Sequence, residues 1–304
     1  MKVSVLIGTR NRVDPLIRCL ESVLKQDYPK FEVLVLDDGS DKFNVCEAIS
    51  KLGDPRLRCV RNPEPMGVAG GRNRLMSLAS GDIFCIIDDD AYFADEHALS
   101  SIVRVFAENP QIGIVATKVV DYRTTPPKLL VPFPRRAIRK QPTLVNTEQD
   151  VSYFVGTCHA IRRNLIESCG LYQENLVYGE EELDLSYRAV QAGFRIRYAP
   201  SVVVYHRPEA SVVRRRVFMR EPELYHHVKN RFILAWKYLP LKFIFPYICF
   251  WITYYGLRSI QKLAILESVL GITSGIAAAL RTQRTPLTKS AVTYMRTHYG
   301  RLWY

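Results

Sequence analysis

The chain of 304 residues has no C-x-x-C pair, and its seven cysteines, at 19, 46, 59, 85, 158, 169 and 249, are odd in number. A thiolate zinc site and a disulfide framework are therefore not expected, and a reducing compartment fits this usage. No uncharged apolar run reaches the ~17 residues a spanning helix needs. The two longest, 243–257 and 268–280, have fifteen and thirteen residues. The opening apolar run is too short for a secretory h-region and ends in charges. No G-K-[S/T] follows Gly70-Gly71, which excludes a P-loop, and no Ser-His-Asp or Cys-His order suits a nucleophile. Acidic residues are scarce in one region only. Residues 207–304 carry 16 Lys and Arg against 4 Asp and Glu, whereas residues 1–206 carry 26 of each, so the whole net charge of +12 belongs to the last third. That asymmetry points to a polyanionic partner, either nucleic acid or an anionic membrane.

What is present alternates strand and helix. β-Branched runs at 3–8, 31–36, 56–60, 83–87 and 112–120 predict buried strands. Helical spacing marks 14–26, with Asp14 as N-cap and Pro15 at the first position, and also 68–80, 99–108 and 180–192. Two further strands are expected at 195–198 and 202–205. Residues 122–150, with five prolines and the run Arg135, Arg136, Arg139 and Lys140, read as a long loop or an insertion. The alternation predicts an α/β fold with a mostly parallel sheet covered on both faces. Polar clusters follow three strands (Thr9-Arg10-Asn11-Arg12, Asp37-Asp38 and Asp88-Asp89-Asp90), and in open α/β sheets ligands bind at those strand ends.

Three acidic clusters stand out: Asp37-Asp38, Asp88-Asp89-Asp90, and Glu180-Glu181-Glu182 with Asp184. Carboxylates this close repel, and they coexist in a pocket only with a cation, hydrogen bonds or raised pKa values. A hard divalent cation, Mg²⁺ or Mn²⁺, shared with substrate phosphates would relieve the repulsion after the 83–87 strand. Order and spacing go further. VSVLIGTRNR, FEVLVLDDGSD, NPEPMGVAGGRNR, IFCIIDDDAYF and GLYQENLVYGEEELDLSYRA, followed by HRPEAS, resemble the inverting family-2 glycosyltransferases of the GT-A fold. The likeness runs over roughly residues 2–211.

That resemblance implies a nucleotide site at Thr9, Arg10, Asn11, Arg12, Asp37, Asp38, Gly67, Arg72, Asn73, Asp88 and Asp89. It implies a Mn²⁺ or Mg²⁺ site at Asp90, Asp88 and His206. The catalytic base falls on Glu182, with Glu181 as the alternative. The family usually has Glu-Asp-x-Asp here, so Glu182 is a departure that moves the carboxylate outward by about 1.5 Å. Gly156, His159 and Asp184 fall on the acceptor side, although His159 reads better as a core histidine and Asp184 as a residue that orients the helix. The implied reaction moves a sugar from a nucleoside-diphosphate donor, UDP first and dTDP or GDP next, to a hydroxyl of a saccharide or glycolipid acceptor.

The expected division is a catalytic domain at 1–213 and a basic, apolar helical region at 214–304. Lys242, Arg258 and Arg281 border the uncharged runs, and Trp251, Tyr254 and Tyr255 lie inside one of them. Such helices suit an anionic bilayer surface better than nucleic acid, which places the protein peripherally on the cytoplasmic face. They also offer an oligomer surface. Two alternatives stand beside the active enzyme: an inactive membrane scaffold of the same fold, and a basic nucleic-acid-binding protein.

Overall fold

A computed structural model of the chain describes residues 1–208 and 221–302; the basic run 214–220 and the expected boundary at 213 lie outside the described residues. Ten strands form one sheet: β1 (Val3–Thr9), β2 (Phe31–Asp38), β3 (Leu57–Asn62), β4 (Ile83–Ile87), β5 (Ala91–Phe93), β6 (Ile112–Asp121), β7 (Lys128–Leu130), β8 (Gln149–Val151), β9 (Cys158–Arg162) and β10 (Arg195–His206). Their order is β3-β2-β1-β4-β9-β6-β10-β5, with β7 added to β6 and β8 to β10. Helices α1 (Val13–Leu24), α2 (Val45–Ser50) and α4 (Ala98–Glu108) cover one face; α3 (Gly67–Leu78) and α7 (Glu181–Gln191) cover the other. The alternation of β1 explains the split. Val3, Val5 and Ile7 enter the first layer, and Leu6 enters the second. This is the GT-A architecture.

Three expectations change, and one gains detail. Within the mostly parallel sheet, β9 runs antiparallel between β4 and β6. Its sequence, CHAIR, is too short and too polar to announce a strand. Residues 122–150 are not one loop; they hold β7, α5 (Arg135–Lys140), a 3₁₀ turn at Pro142–Asn146 and the start of β8. The two strands after residue 194 are a single β10 with an irregularity between Ala199 and Val203. Finally, Cys46 and Cys59 are joined in a disulfide, which the absence of paired motifs did not anticipate. Their positions on α2 and β3, 13 residues apart, are brought together only by the fold. A smaller shift concerns α1, which begins at Val13 with Arg12 as N-cap, so Asp14 lies in the first turn, where its charge complements the helix dipole.

The C-terminal part is not a detached appendage. The remaining helices are α6 (Arg163–Cys169), α8 (Pro222–Tyr238), α9 (Leu241–Gln261), α10 (Ile265–Leu280) and α11 (Lys289–Thr297). Leu234, Tyr238 and Met295 join the same core as Leu183 and Leu185 of α7. Tyr294 of α11 donates its hydroxyl proton to the Val151 carbonyl and accepts from the Ile196 amide. Against α8, α10 packs so closely that a methyl group at Gly271 or Gly275 would meet Val228 or Phe232. No helix among the described residues is long and apolar enough to cross a membrane.

Candidate active site

Strand register assembles the acidic site. His206, the last residue of β10, lies opposite Asp121 of β6 and Ala91 of β5, beside the acidic triplet that follows β4. Asp88, Asp90 and His206 offer ligand atoms within 4.8 Å of one another. The Nε2 atom of His206 is 3.2 Å from Asp90 Oδ1, and its Nδ1 is 3.6 Å from Asp121 Oδ1. Asp121 thus backs the histidine, as outer carboxylates do behind metal-binding imidazoles. Two carboxylates and an imidazole suit a hard or borderline divalent cation. The charge balance agrees. Burial pushes Asp88 up to about 6 despite Arg72, and pushes Asp89 up to about 7 despite Arg12 and Thr9. Burial also acts on Asp90, but His206 and Arg12 outweigh it and hold its carboxyl below the usual range. The triplet is therefore short of positive charge, and a cation at this group would supply it.

Arg72 connects this centre to the second acidic cluster. The residue is buried on α3, and its Nη2 is 3.4 Å from Asp88 Oδ1 and donates to the Gly156 carbonyl at 3.1 Å. Its Nη1 is 3.1 Å from Glu182 Oε1 and 3.4 Å from Glu181 Oε1. Burial and the neighbouring Glu182 charge raise the Glu181 pKa. A protonated Glu181 leaves the ion pair with Arg72 to Glu182, whose oxygen is the nearer. Gly156 leaves room for Glu182, because a methyl group there would overlap the carboxylate and force it to move. Gly156→Ala is expected to lower kcat by about 10²-fold through a displaced Glu182, with nucleotide affinity kept. Steady-state kinetics beside UDP titration would check this, and a lost nucleotide affinity would count against it.

Other candidate residues serve as supports. Asp38 is spent on its own surroundings: it accepts from Asn62 Nδ2 and from the Met66 and Gly67 amides, and so fixes the turn into α3. Gly67 belongs to that turn and has a left-handed φ of 76°. Asn73 bonds to both backbone groups of Tyr172 and to Glu174, which occupies both N–H groups of its amide. Thr9 donates to Asp89 at 2.6 Å, and Arg12 grips Asp89 and Asp90 at 2.7 Å each, so these residues order the triplet. Asn11 ties the β1 loop to Ser40, Asp41 and Lys42. Arg10 is half-buried beside it. Asp37 differs from Asp38: it is fully buried, accepts from the Ser40 amide, lies 3.6 Å from Arg61, and its Oδ2 lacks a hydrogen-bond partner among the described residues.

The two weakest acceptor-side expectations go to the core. His159 is fully buried, its Nε2 lies 2.6 Å from the Tyr172 hydroxyl, and burial drives its pKa well down. Asp184 is enclosed by Arg188, Tyr238 and Lys237, so it orients α7. Residues that the motifs did not mark also shape the site. Tyr172 carries Arg72 over its ring at 5.5 Å, and Glu180 pairs with Arg231 of α8. No local signal pointed to Arg231, which follows Lys229 and Asn230 at the head of an apolar stretch.

A profile described as Glycosyl transferase family 2 matches residues 4–170, more than half of the chain. The chain belongs to glycosyl transferase family 2. Within this family it is 24% identical over 212 residues to UDP-Glc:alpha-D-GlcNAc-diphosphoundecaprenol beta-1,3-glucosyltransferase WfaP of Escherichia coli, covering 69% of this chain and 79% of that protein. It is also 24% identical over 227 residues to the uncharacterized protein y4gI of Sinorhizobium fredii; the match takes in 69% of the family-2 chain but only 25% of that longer relative. Among solved structures, the mannosyltransferase PcManGT from Pyrobaculum calidifontis, in complex with GDP-Man and Mn²⁺, superposes with a TM-score of 0.55 at 20% identity, covering 97% of this chain and 79% of that one.

Proposed function

We propose that this family-2 glycosyltransferase moves a sugar, with inversion, from a nucleoside-diphosphate donor to a hydroxyl of a lipid-linked or surface saccharide. One observation carries the reading: Arg72 joins Asp88 of the triplet to Glu182 at the head of α7. Donor and acceptor chemistry are thereby held within one guanidinium's reach. Asp88, Asp90 and His206 would hold Mn²⁺ or Mg²⁺, and that ion, when bound, offsets charge on the departing diphosphate. Asp37, whose buried Oδ2 accepts no hydrogen bond among the described residues and has Arg61 3.6 Å away, is suited to a base N–H or ribose hydroxyl. Glu182 accepts the proton of the acceptor hydroxyl as its oxygen bonds to the anomeric carbon. The bond from that carbon to the diphosphate breaks on the opposite side, and a single displacement inverts the centre.

UDP is the favoured nucleotide, because WfaP is named for UDP-Glc, and GDP is the next to test because PcManGT was solved with GDP-Man. A panel of UDP-, dTDP- and GDP-sugars with Mn²⁺, followed by NMR of the product's anomeric proton, tests the proposal. Inverted product is expected. Retained configuration overturns the single displacement, and no turnover with any donor overturns the enzyme reading.

The same reading places the protein on the cytoplasmic face of a membrane. On α9 and α10 and at the turn between them, Phe245, Leu257, Leu263, Leu266 and Leu280 are exposed, Phe245 by 77% and Leu263 by 71%. Exposed apolar surface of this extent, rimmed by Lys242, Arg258 and Arg281, suits an anionic leaflet. Phe245→Asp with Leu257→Asp is expected to abolish flotation with phosphatidylglycerol vesicles and to leave the donor site intact. Unchanged flotation would place the docking surface elsewhere, and a change of oligomeric state instead would identify a second copy as the partner.

A further inference from the structure

The catalytic helix α7 starts from an unfavourable turn. Gly179 and Glu180, which immediately precede Glu181 and Glu182, both have left-handed φ values, 72° and 74°, and Val177 has 61°. A side-chain-bearing residue avoids this region unless its surroundings hold it there. Side chains of α8 hold this turn. The Asn230 side chain is fully buried, and its Nδ2 donates to the carbonyls of Leu176 at 2.8 Å, Tyr178 at 3.0 Å and Gly179 at 2.8 Å. Arg231 is buried beside it, with Nη2 2.8 Å from Glu180 Oε2 and Nη1 bonded to the Tyr247 hydroxyl at 3.0 Å. Its guanidinium lies 4.0 Å from the centroid of Trp251. His227 places Nδ1 3.1 Å from Glu180 Oε1 and fills the space beside Gly179.

We infer that Asn230 and Arg231 are positioning residues: they hold the 176–180 turn so that Glu182 meets both Arg72 and the acceptor hydroxyl. The inference rests on the reading of Glu182 as the base. Glu180 itself stays outside the chemistry. It is buried, yet Arg231 and then His227 overcome the burial and hold its pKa down at about 2, so it remains a fixed anion for α8 to grip. Without the three-carbonyl contact of Asn230, the turn can relax toward ordinary backbone, and the first residues of α7 shift with it. Displacements of this size reduce catalysis while leaving the donor pocket, built on β1, β2 and β4, as it was.

The test uses the full chain with the donor of highest wild-type turnover from the sugar-nucleotide panel. Asn230→Asp keeps the side-chain shape but replaces the donor by an acceptor facing three carbonyls. The pair Glu180→Gln with Arg231→Met removes both buried charges together, which spares the fold the cost of a lone ion. Arg231→Lys retains a cation against Glu180. Asn230→Asp and the neutral pair are expected to lower kcat by about 10²-fold, with UDP affinity in Mn²⁺ within about threefold of wild type. Arg231→Lys is expected to restore most of the kcat. A kcat within about threefold of wild type in Asn230→Asp, or a parallel loss of UDP affinity, overturns the inference. Glu182→Gln, run alongside, separates the two proposals. If it is inactive while Asn230→Asp is fully active, only the positioning role fails; if Glu182→Gln is itself active, the base assignment and the positioning role fall together.

Discussion

Glu182→Gln is expected to reduce kcat by about 10³-fold, within the range that general-base catalysis supplies, and to leave UDP binding unchanged. The substitution keeps the size and the contact with Gly156, and it removes the charge that faces Arg72 at 3.1 Å. Glu181 cannot simply take over. Burial and the adjacent carboxylate raise its pKa, and its Oε2 has no hydrogen-bond partner among the described residues. Loss of the Glu182 charge lets Glu181 ionise against Arg72, so a small residual rate is expected in Glu182→Gln. Glu181→Gln with Glu182→Gln should remove that residue of activity. Pre-steady-state transfer with the best donor would measure both. A double variant no worse than the single would mean that Glu181 contributes nothing.

The second large effect concerns the donor side. Asp90→Asn is expected to weaken UDP binding in Mn²⁺ by more than 100-fold, since even outer-shell changes at metal sites cost about 10–100-fold. Two consequences combine. Asp90 is one of the three grouped residues proposed to hold the ion, and it also engages both His206 and Arg12. With Asp90 neutral, Arg12 is free to move onto Asp89 alone, and His206 loses its nearer carboxylate. EDTA should reproduce the loss in the wild type, and added Mn²⁺ should restore wild-type binding but not that of the variant. Calorimetric titration of UDP with and without Mn²⁺ would decide. Equal affinity in EDTA would show that the nucleotide binds without a cation.

The gathering of Asp88, Asp90 and His206 at strand ends was readable in the sequence because its signals are local. A buried strand ending in three acids, IFCII then DDD, fixes Asp88 and Asp90 at a strand end. His206 follows the same rule at the end of β10. What the sequence left obscure depends on partners far along the chain. Asp37 and Asp38 are adjacent and chemically alike, yet alternation along β2 gives one a buried oxygen without a hydrogen bond and the other a turn to hold. Asn73 stands next to Arg72, and one turns to Tyr172 while the other reaches the acids. The strand β9 escaped notice because pairing on both edges, not its own composition, stabilises it. The last third was legible as basic and apolar, but its composition did not tell that α8 and the first turns of α9 join the core beneath α7 while outward positions of α9 and α10 carry the exposed ridge.

The glycine contacts of α10 bear on how this protein can be handled. Gly271 and Gly275 seat the ridge-bearing helix directly on α8, and α8 holds the catalytic turn. Clipping the chain before α8 to gain a well-behaved sample would therefore remove the greasy surface and the grip on Glu180 in one cut. A monodisperse, active preparation should instead come from repainting outward positions such as Phe245 and Leu263 with polar residues while every helix stays in place.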